Sequence, residues 1–272
     1  MHGRTVLVTG ATDGIGIVTA LHLARLGAHV IVHGRNAERV TRTAVMIRKD
    51  AGPASASELV ADLSSLHEVR TAAATLLERY PAIHVLLHNA GVYMTERVLT
   101  VDGHETTFAV NHLAPYLLTG LLLDRVKASG RGRIVTVSSM VHVRAKLAFD
   151  NLQGERQYSG YAAYGLSKLA NAMFTWELAE RLRGTDVMAT CLHPGVIATK
   201  LLATGFPGSG GASVESGAMT SVHLASSPAV EGISGAYFVG KQQAEPSPLV
   251  HDADQRLRLW EVSEKLVGGS HA

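Results

Sequence analysis

Short apolar runs recur along the chain, and each is followed by a turn and a longer stretch with helical periodicity. The runs cover 6–8, 30–32, 58–60, 85–87, 134–137, 187–189 and 237–239. They are continuous rather than alternating with polar residues, the pattern of strands whose two faces are both covered by helices. The intervening stretches predict helices over about 15–26, 36–50, 65–79, 104–127, 160–183 and 213–226, with a closing helix over about 252–267. Strands alternating with helices predict an α/β fold, a doubly wound parallel sheet with helices on both faces. No internal repeat or linker interrupts the alternation, so residues 1–272 are read as one domain.

Right-handed crossovers would bring the loops after each strand to one edge of such a sheet, where ligands bind. The two least regular stretches, 139–160 and 201–212, both follow strand ends on that edge. The second, Ala203-Thr204-Gly205-Phe206-Pro207-Gly208-Ser209-Gly210-Gly211-Ala212, is glycine-rich. It reads equally as a tolerated surface loop and as a mobile lid over a substrate.

A 272-residue chain with 46% hydrophobic residues is long and apolar enough for one sizeable core. The formal net charge of +2 gives no basic surface for nucleic acid, and the basic residues between 125 and 133 read as a solvated helix end. Cys191 is the lone cysteine and lies in an apolar run, so an inert buried thiol and a reducing, cytoplasmic setting are expected. The N-terminus runs directly into the first strand, and no apolar stretch approaches the roughly 18 residues of a membrane span, so neither signal peptide nor membrane anchor is expected. Fourteen histidines raise the question of a metal. None forms a helix-spaced pair with a carboxylate base, and His84 and His88 fall in a strand-like run, so no metal site is expected.

The first strand ends in Thr9-Gly10-Ala11-Thr12-Asp13-Gly14-Ile15-Gly16. Gly10 permits the tight turn, Gly14 lets backbone approach a pyrophosphate, and Gly16 lets the helix pack close to the strand; the helix N-terminus then faces the phosphates. Gly10, Thr12, Asp13, Gly14, Ile15 and Gly16 are therefore candidate dinucleotide-binding residues. No Lys-Ser/Thr pair follows the glycines, as a P-loop would require. The second strand ends in His33-Gly34-Arg35-Asn36, without the acid that accepts from the ribose of NAD. Arg35, with Asn36 beside it, is positioned to meet a 2′-phosphate, so NADP(H) is preferred and NAD(H) remains possible; the other reading of Arg35 is a surface residue opening the next helix. Asp13 brings a negative charge into the same region. Asp62-Leu63 after the third strand could accept from an adenine amino group, although Asp62 could equally cap the next helix. Asn89, Ala90 and Gly91 follow the fourth strand and let backbone pass close to a cofactor.

Tyr164 and Lys168 lie four apart early in a long helical stretch and so share one helix face. A nearby ammonium and a positive nicotinamide ring would favour the tyrosine phenolate; a shift of about three units needs roughly 4 kcal/mol. Such a tyrosine can give or take the proton of a substrate hydroxyl. Ser138 and Ser139 end the fifth strand on the same edge, where a hydroxyl could hydrogen-bond a substrate oxygen. The Asn111 amide could hold a water joining Lys168 to solvent. Pro194, Gly195, Val196 and Thr199 follow the sixth strand and could grip a nicotinamide carboxamide.

Together, in this order, Thr9-Gly10…Gly14-Ile15-Gly16, Asp62-Leu63, Asn89-Ala90-Gly91, Asn111, Ser139, Tyr164…Lys168 and Pro194-Gly195…Thr199 resemble the short-chain dehydrogenase/reductase family over nearly the whole chain. The resemblance implies a Rossmann-type fold of about seven parallel strands, with Tyr164 as acid/base and Lys168 holding the nicotinamide ribose and lowering the tyrosine pKa. It implies Ser139 polarising the substrate oxygen and Asn111 serving a proton relay. Ser139 stands 25 residues before Tyr164, farther than in many members. That spacing resembles the retinol-dehydrogenase-like subgroup, as do 150–155, 167–171, 232–238 and 258–263. The subgroup generally prefers NADP(H). Many animal members carry a membrane anchor before the first strand, which is not expected here. The implied reaction interconverts an alcohol and a ketone or aldehyde. A non-catalytic NADP(H) sensor and a same-fold lyase or epimerase are the alternatives. The substrate segments are 140–163 and 197–215; Val141, Val143, Phe149, Tyr93, Leu201, Leu202 and Phe206 predict an apolar pocket for a lipophilic small molecule. The family often dimerises through the helices holding Asn111 and Tyr164; the face with Leu169, Ala170 and Ala172 suits either a homodimer or packing on the sheet.

Overall fold

A computed structural model describes residues 1–269. The elements run β1 (Thr5–Val8), α1 (Gly14–Arg25), β2 (His29–Gly34), α2 (Ala37–Ala51), β3 (Ala56–Val60), α3 (Leu66–Arg79) and β4 (Val85–His88). There follow α4 (Thr106–Phe108), α5 (Ala114–Lys127), β5 (Arg133–Val137), α6 (Gly160–Arg181), β6 (Met188–His193), α7 (Lys200–Gly205), α8 (Val214–Ser226), β7 (Ala236–Val239), β8 (Gln242–Ala244) and α9 (Ala253–Leu266).

The strands form one sheet of order β3-β2-β1-β4-β5-β6-β7-β8. β3 to β7 pair in parallel, and β8 pairs antiparallel with β7. The fold is therefore the expected Rossmann-type α/β arrangement, with eight strands rather than about seven. β8 is polar and carries no apolar run; it pairs because Gly240 and Lys241 both take positive φ, 57° and 69°, the backbone of a two-residue hairpin turn.

Side-chain alternation divides each strand between two cores. Leu7, Ile31, Leu86 and Ile134 face one layer with α3, α5, α6 and α9 residues. Val6, Val8, Val30, Val32, Val85, Leu87 and Val135 face the other, against residues of α1, α2 and α8. Both faces are dry, which is why the runs read as continuous. Cys191 is buried and free, as expected. Leu169, Ala170 and Ala172 are fully buried in the chain's own core, so these three residues pack within the chain. No helix among the described residues is long and apolar enough to cross a membrane.

The sheet order reverses direction between β1 and β4. A crevice opens at such a switch point beyond the strand C-termini. The glycine loop after β1 and Asn89-Ala90-Gly91 after β4 form its two lips.

Candidate active site

Gly10 and Gly16 of the glycine loop sit in contacts that leave no room for a methyl group. Gly10 has φ of 64°, and a Cβ there would lie 2.9 Å from Ala90 Cα. A Cβ on Gly16 would lie 2.1 Å from the Gly10 carbonyl oxygen and 2.5 Å from Asn89 Nδ2. Asn89 uses Nδ2 to hold the carbonyls of Thr9 and Gly10, at 2.9 and 3.2 Å. The Thr9 hydroxyl accepts the N–H groups of Asn89 and Ala90. The two lips are thereby tied together. His33 lies beneath them: its Nδ1 accepts from Gly10 N at 3.2 Å, and burial pushes its pKa down to about 4. The ring is a neutral acceptor at physiological pH.

Asp13 caps α1, accepting from Gly14 N at 2.8 Å. Its carboxylate also pairs with Arg39 Nη2 at 2.7 Å and Lys200 Nζ at 3.0 Å. These partners hold its pKa at about 2. Arg35 is exposed at the end of β2, and Asn36 caps α2 by accepting from Arg39 N. Ser65 caps α3, so Asp62 does not; the Asp62 carboxylate turns the chain by accepting from Ser64 N. All of Arg35, Asn36, Asp62 and Leu63 line the same cavity as the glycine loop.

At the other end of that cavity Ser139, Tyr164 and Lys168 come together. Lys168 Nζ donates to the Val137 carbonyl at 2.9 Å and lies 5.6 Å from the centre of the Tyr164 ring. Gly91 lies beside it: a Cβ there would be in ordinary contact with Lys168 Nζ at 3.4 Å and Asn111 Oδ1 at 3.5 Å. Both serines line the cavity, but Ser138 is buried and spends its hydroxyl proton on the Lys168 carbonyl at 2.7 Å, which leaves the Ser139 hydroxyl for a ligand. Burial pushes the Tyr164 hydroxyl up to about 12, opposed by a hydrogen bond with Ser139. Burial brings Lys168 down to about 8. In the chain alone, then, desolvation dominates and Tyr164 is a neutral phenol.

Asn111 sits in a π-helical turn, Ala109–Leu113, that interrupts the predicted 104–127 helix. Its Oδ1 accepts from Val92 N at 2.8 Å, and its Nδ2 donates to Val92 O and Ser167 Oγ, each at 3.0 Å. Both amide protons are spent on the protein. One Oδ1 lone pair is left on the side facing Gly91 and Lys168.

Ser139 is held from behind. It caps a 3₁₀ turn, Met140–Arg144, within the stretch the sequence left irregular. His142 Nδ1 bonds the Ser139 carbonyl at 2.6 Å, and His142 Nε2 accepts from Ser247 N at 3.1 Å. The second bond requires Nδ1 to carry the proton, which fixes the tautomer. The ring is fully buried edge-on to Tyr237.

The expected substrate segments close the cavity with apolar side chains: Val141, Val143, Leu201, Leu202 and Phe206, joined by Met140 and Tyr161. Phe206 follows α7, a short helix capped by the Thr199 hydroxyl inside the glycine-rich stretch. Its ring packs against Tyr93, Tyr161 and Tyr164, at 5.9, 6.0 and 6.3 Å. Tyr93 thus touches the pocket through Tyr164 and Phe206. Phe149 does not reach it and packs under Arg258 instead. Pro194, Gly195, Val196 and Thr199 line the floor beside His193. Arg39, His33 and His193 were not among the residues read from the sequence. The second and third carry no signal beyond their strand ends, and Arg39 hides one turn into a helix.

The cavity measures about 930 Å³ and runs unbroken from Arg35 to Phe206. Its glycine lips, helix N-terminus and small-residue floor fit an elongated dinucleotide. The family model for short chain dehydrogenases matches residues 4–208. The chain is 40% identical to human retinol dehydrogenase 14, over 98% of this chain and 87% of that one. It is 41% identical to human retinol dehydrogenase 13, over 98% and 85%, and 36% identical to human polyprenol dehydrogenase, over 97% and 85%. A crystal structure of an uncharacterized protein from Mycobacterium paratuberculosis superposes with a TM-score of 0.83 at 34% identity, over 100% of this chain and 96% of that one. A structure from Escherichia coli CFT073 complexed with NADPH superposes with a TM-score of 0.73 at 26% identity, over 89% and 98%. The nicotinamide-dinucleotide cleft and these relatives lead to one assignment: the chain belongs to the short chain dehydrogenase family, on its retinol-dehydrogenase-like branch.

Proposed function

We propose that the chain is an NADP(H)-dependent oxidoreductase that interconverts an alcohol and a ketone or aldehyde on a lipophilic small molecule. The observation that carries this reading is the convergence of Ser139, Tyr164 and Lys168 at one end of a cavity whose other end is the glycine loop with Arg35. The nicotinamide, when bound, supplies or accepts the hydride. Tyr164 holds the proton. Neutral while buried in the chain alone, it would donate that proton to a carbonyl oxygen in reduction and take one from a hydroxyl in oxidation. Ser139 donates a hydrogen bond to that oxygen. Lys168 spends one proton on Val137 O and has two for the ribose hydroxyls. Asn111 props the backbone at residue 92 and offers its remaining lone pair to a water beside Lys168. Gly10, Thr12, Gly14, Ile15 and Gly16 hold the pyrophosphate; Asp62, Leu63, Asn89, Ala90 and Gly91 flank the adenosine and ribose. Pro194, Gly195, Val196 and Thr199 orient the carboxamide.

The lipophilic substrate class is supported by the apolar wall of Met140, Val141, Val143, Tyr161, Leu201, Leu202 and Phe206. Relatives named for retinol and polyprenol, both long apolar alcohols, support the same class. The test is NADPH consumption against a panel of retinoid, polyprenyl and short-chain aldehydes and ketones, with Tyr164→Phe in parallel. Turnover of the long apolar members, lost in the variant, is the expected result. An unaffected Tyr164→Phe rate would overturn the acid/base role.

A further inference from the structure

An acid in a phosphate-binding loop is an odd neighbour for a dinucleotide, and Asp13 is not idle there. Arg39 Nη2 meets its Oδ2 at 2.7 Å and the Thr12 carbonyl at 3.2 Å. Lys200 Nζ reaches the same Oδ2 from α7, on the far bank of the cleft, at 3.0 Å. Asp13, Arg35, Asn36, Arg39 and Lys200 all line the cavity. Two cations are therefore parked on one carboxylate, beside the place where Arg35 and Asn36 end β2.

We propose that Arg39, held in reserve by Asp13, is a second selectivity residue for the 2′-phosphate of NADP(H), and that Asp13 acts as an internal competitor for it. The inference rests on the NADP(H) reading above. Magnitudes favour the exchange. The Arg39 and Asp13 side chains are 37% and 50% exposed, and so wet a pair contributes little. A phosphate dianion offers a guanidinium two parallel charge-assisted hydrogen bonds, each roughly twice a neutral one. Arg39 lies in the first turn of α2 with its backbone N–H fixed on Asn36 Oδ1 at 2.9 Å. Only its side chain has to swing, from the glycine loop toward the strand end one turn back. NADH has no group to draw it away, so with NADH Arg39 stays on Asp13. The acid thus withholds the guanidinium from one cofactor and yields it to the other.

The experiment is direct binding of NADPH and of NADH to the full chain, by titration calorimetry, in the wild type and in Arg39→Gln, Asp13→Asn and Lys200→Gln. Arg39→Gln is expected to weaken NADPH about tenfold or more, the scale of one charge-assisted hydrogen bond, and to leave NADH within twofold. Asp13→Asn is expected to tighten NADPH more than NADH. Lys200→Gln, which removes an equal charge on the other bank, is expected to change the NADPH-to-NADH ratio far less than Arg39→Gln does. An unaltered ratio in Arg39→Gln, or an equal change in Lys200→Gln, overturns the role of Arg39. A wild type that binds NADH at least as tightly as NADPH sinks the cofactor reading itself, a separate failure visible before any variant is made. Thermal melts of the free variants check that each is folded.

Discussion

A methyl group added at Gly16 would sit 2.1 Å from the Gly10 carbonyl oxygen, whereas one added at Gly165, beside Tyr164, would meet nothing nearer than 3.5 Å. These two positions mark a contrast between the ends of the cleft. At the dinucleotide end the walls are backbone against backbone, and the chain path is set by which residues lack a side chain. At the substrate end the walls are side chains: Phe206 among three tyrosines, Val141 and Leu201 across from them, and a 3₁₀ turn held by His142. A backbone wall tolerates almost no substitution and recognises one shape. A side-chain wall can be rebuilt residue by residue, so the chemistry at its edge can be kept while the substrate changes.

Acid should break both ends together, and with the largest effect. His33, His88 and His112 are buried, and desolvation drops their pKa values from 6.5 to about 4, 3 and 3. Above pH 6.5 the folded and unfolded chains both leave them neutral, and their contribution is constant. Below it the unfolded chain takes up protons that the folded chain refuses until about pH 4 or 3. Stability then falls by about 1.4 kcal/mol per pH unit for each, about 4 for the three. Urea unfolding at pH 7 and pH 5.5 should show a markedly earlier midpoint at the lower pH; equal midpoints would contradict the buried neutral rings.

Gly16→Ala should separate the ends. Overpacking against backbone costs about 3 kcal/mol, and NADPH binding should disappear; a variant that still binds NADPH normally would mean the close approach is not needed. His142→Ala attacks the other end. It strips the Ser139 carbonyl of one donor and leaves Ser247 N buried without an acceptor, at a cost of about 2 kcal/mol. Turnover should fall while the NADPH dissociation constant stays put, and a parallel loss of NADPH affinity would show the two ends to be less separate than described. Gly165→Ala is the smallest. With only ordinary contacts around the new methyl, helix propensity should raise stability by up to about 1 kcal/mol, seen as a modest rise in Tm; a loss would place an unseen constraint beneath Tyr164.

The same contrast explains what could be read from the sequence. The strands and the glycine loop were legible because their causes are local: two dry faces give unbroken apolar runs, and a turn with φ of 64° calls for glycine at residue 10. Tyr164 and Lys168 were legible because helix spacing alone puts them together. β8 was not, since its pairing is decided by the turn at Gly240-Lys241 and by the open edge of β7. Neither was the π-helical turn at Asn111, whose causes are tertiary: Val92 and Ser167 are 19 and 56 residues away. α7 was hidden by glycines, although Thr199 is an ordinary capping residue. The burial that raises the Tyr164 pKa in the chain alone was not legible either, because sequence shows the ammonium but not the desolvation. Phe149 was placed in the pocket on polarity alone, and its ring was claimed instead by Arg258 from the closing helix.

The bond from His142 to Ser247 also orders the events of synthesis. A growing chain contains all the residues of its dinucleotide end, from Gly10 to Thr199, before the last quarter has been made. The brace behind Ser139 arrives only with residue 247, and the hydroxyl that holds His112, beside Asn111, only with Ser263 at 2.8 Å. The residues that face the dinucleotide are thus all synthesised before those that hold His142 and His112 in place.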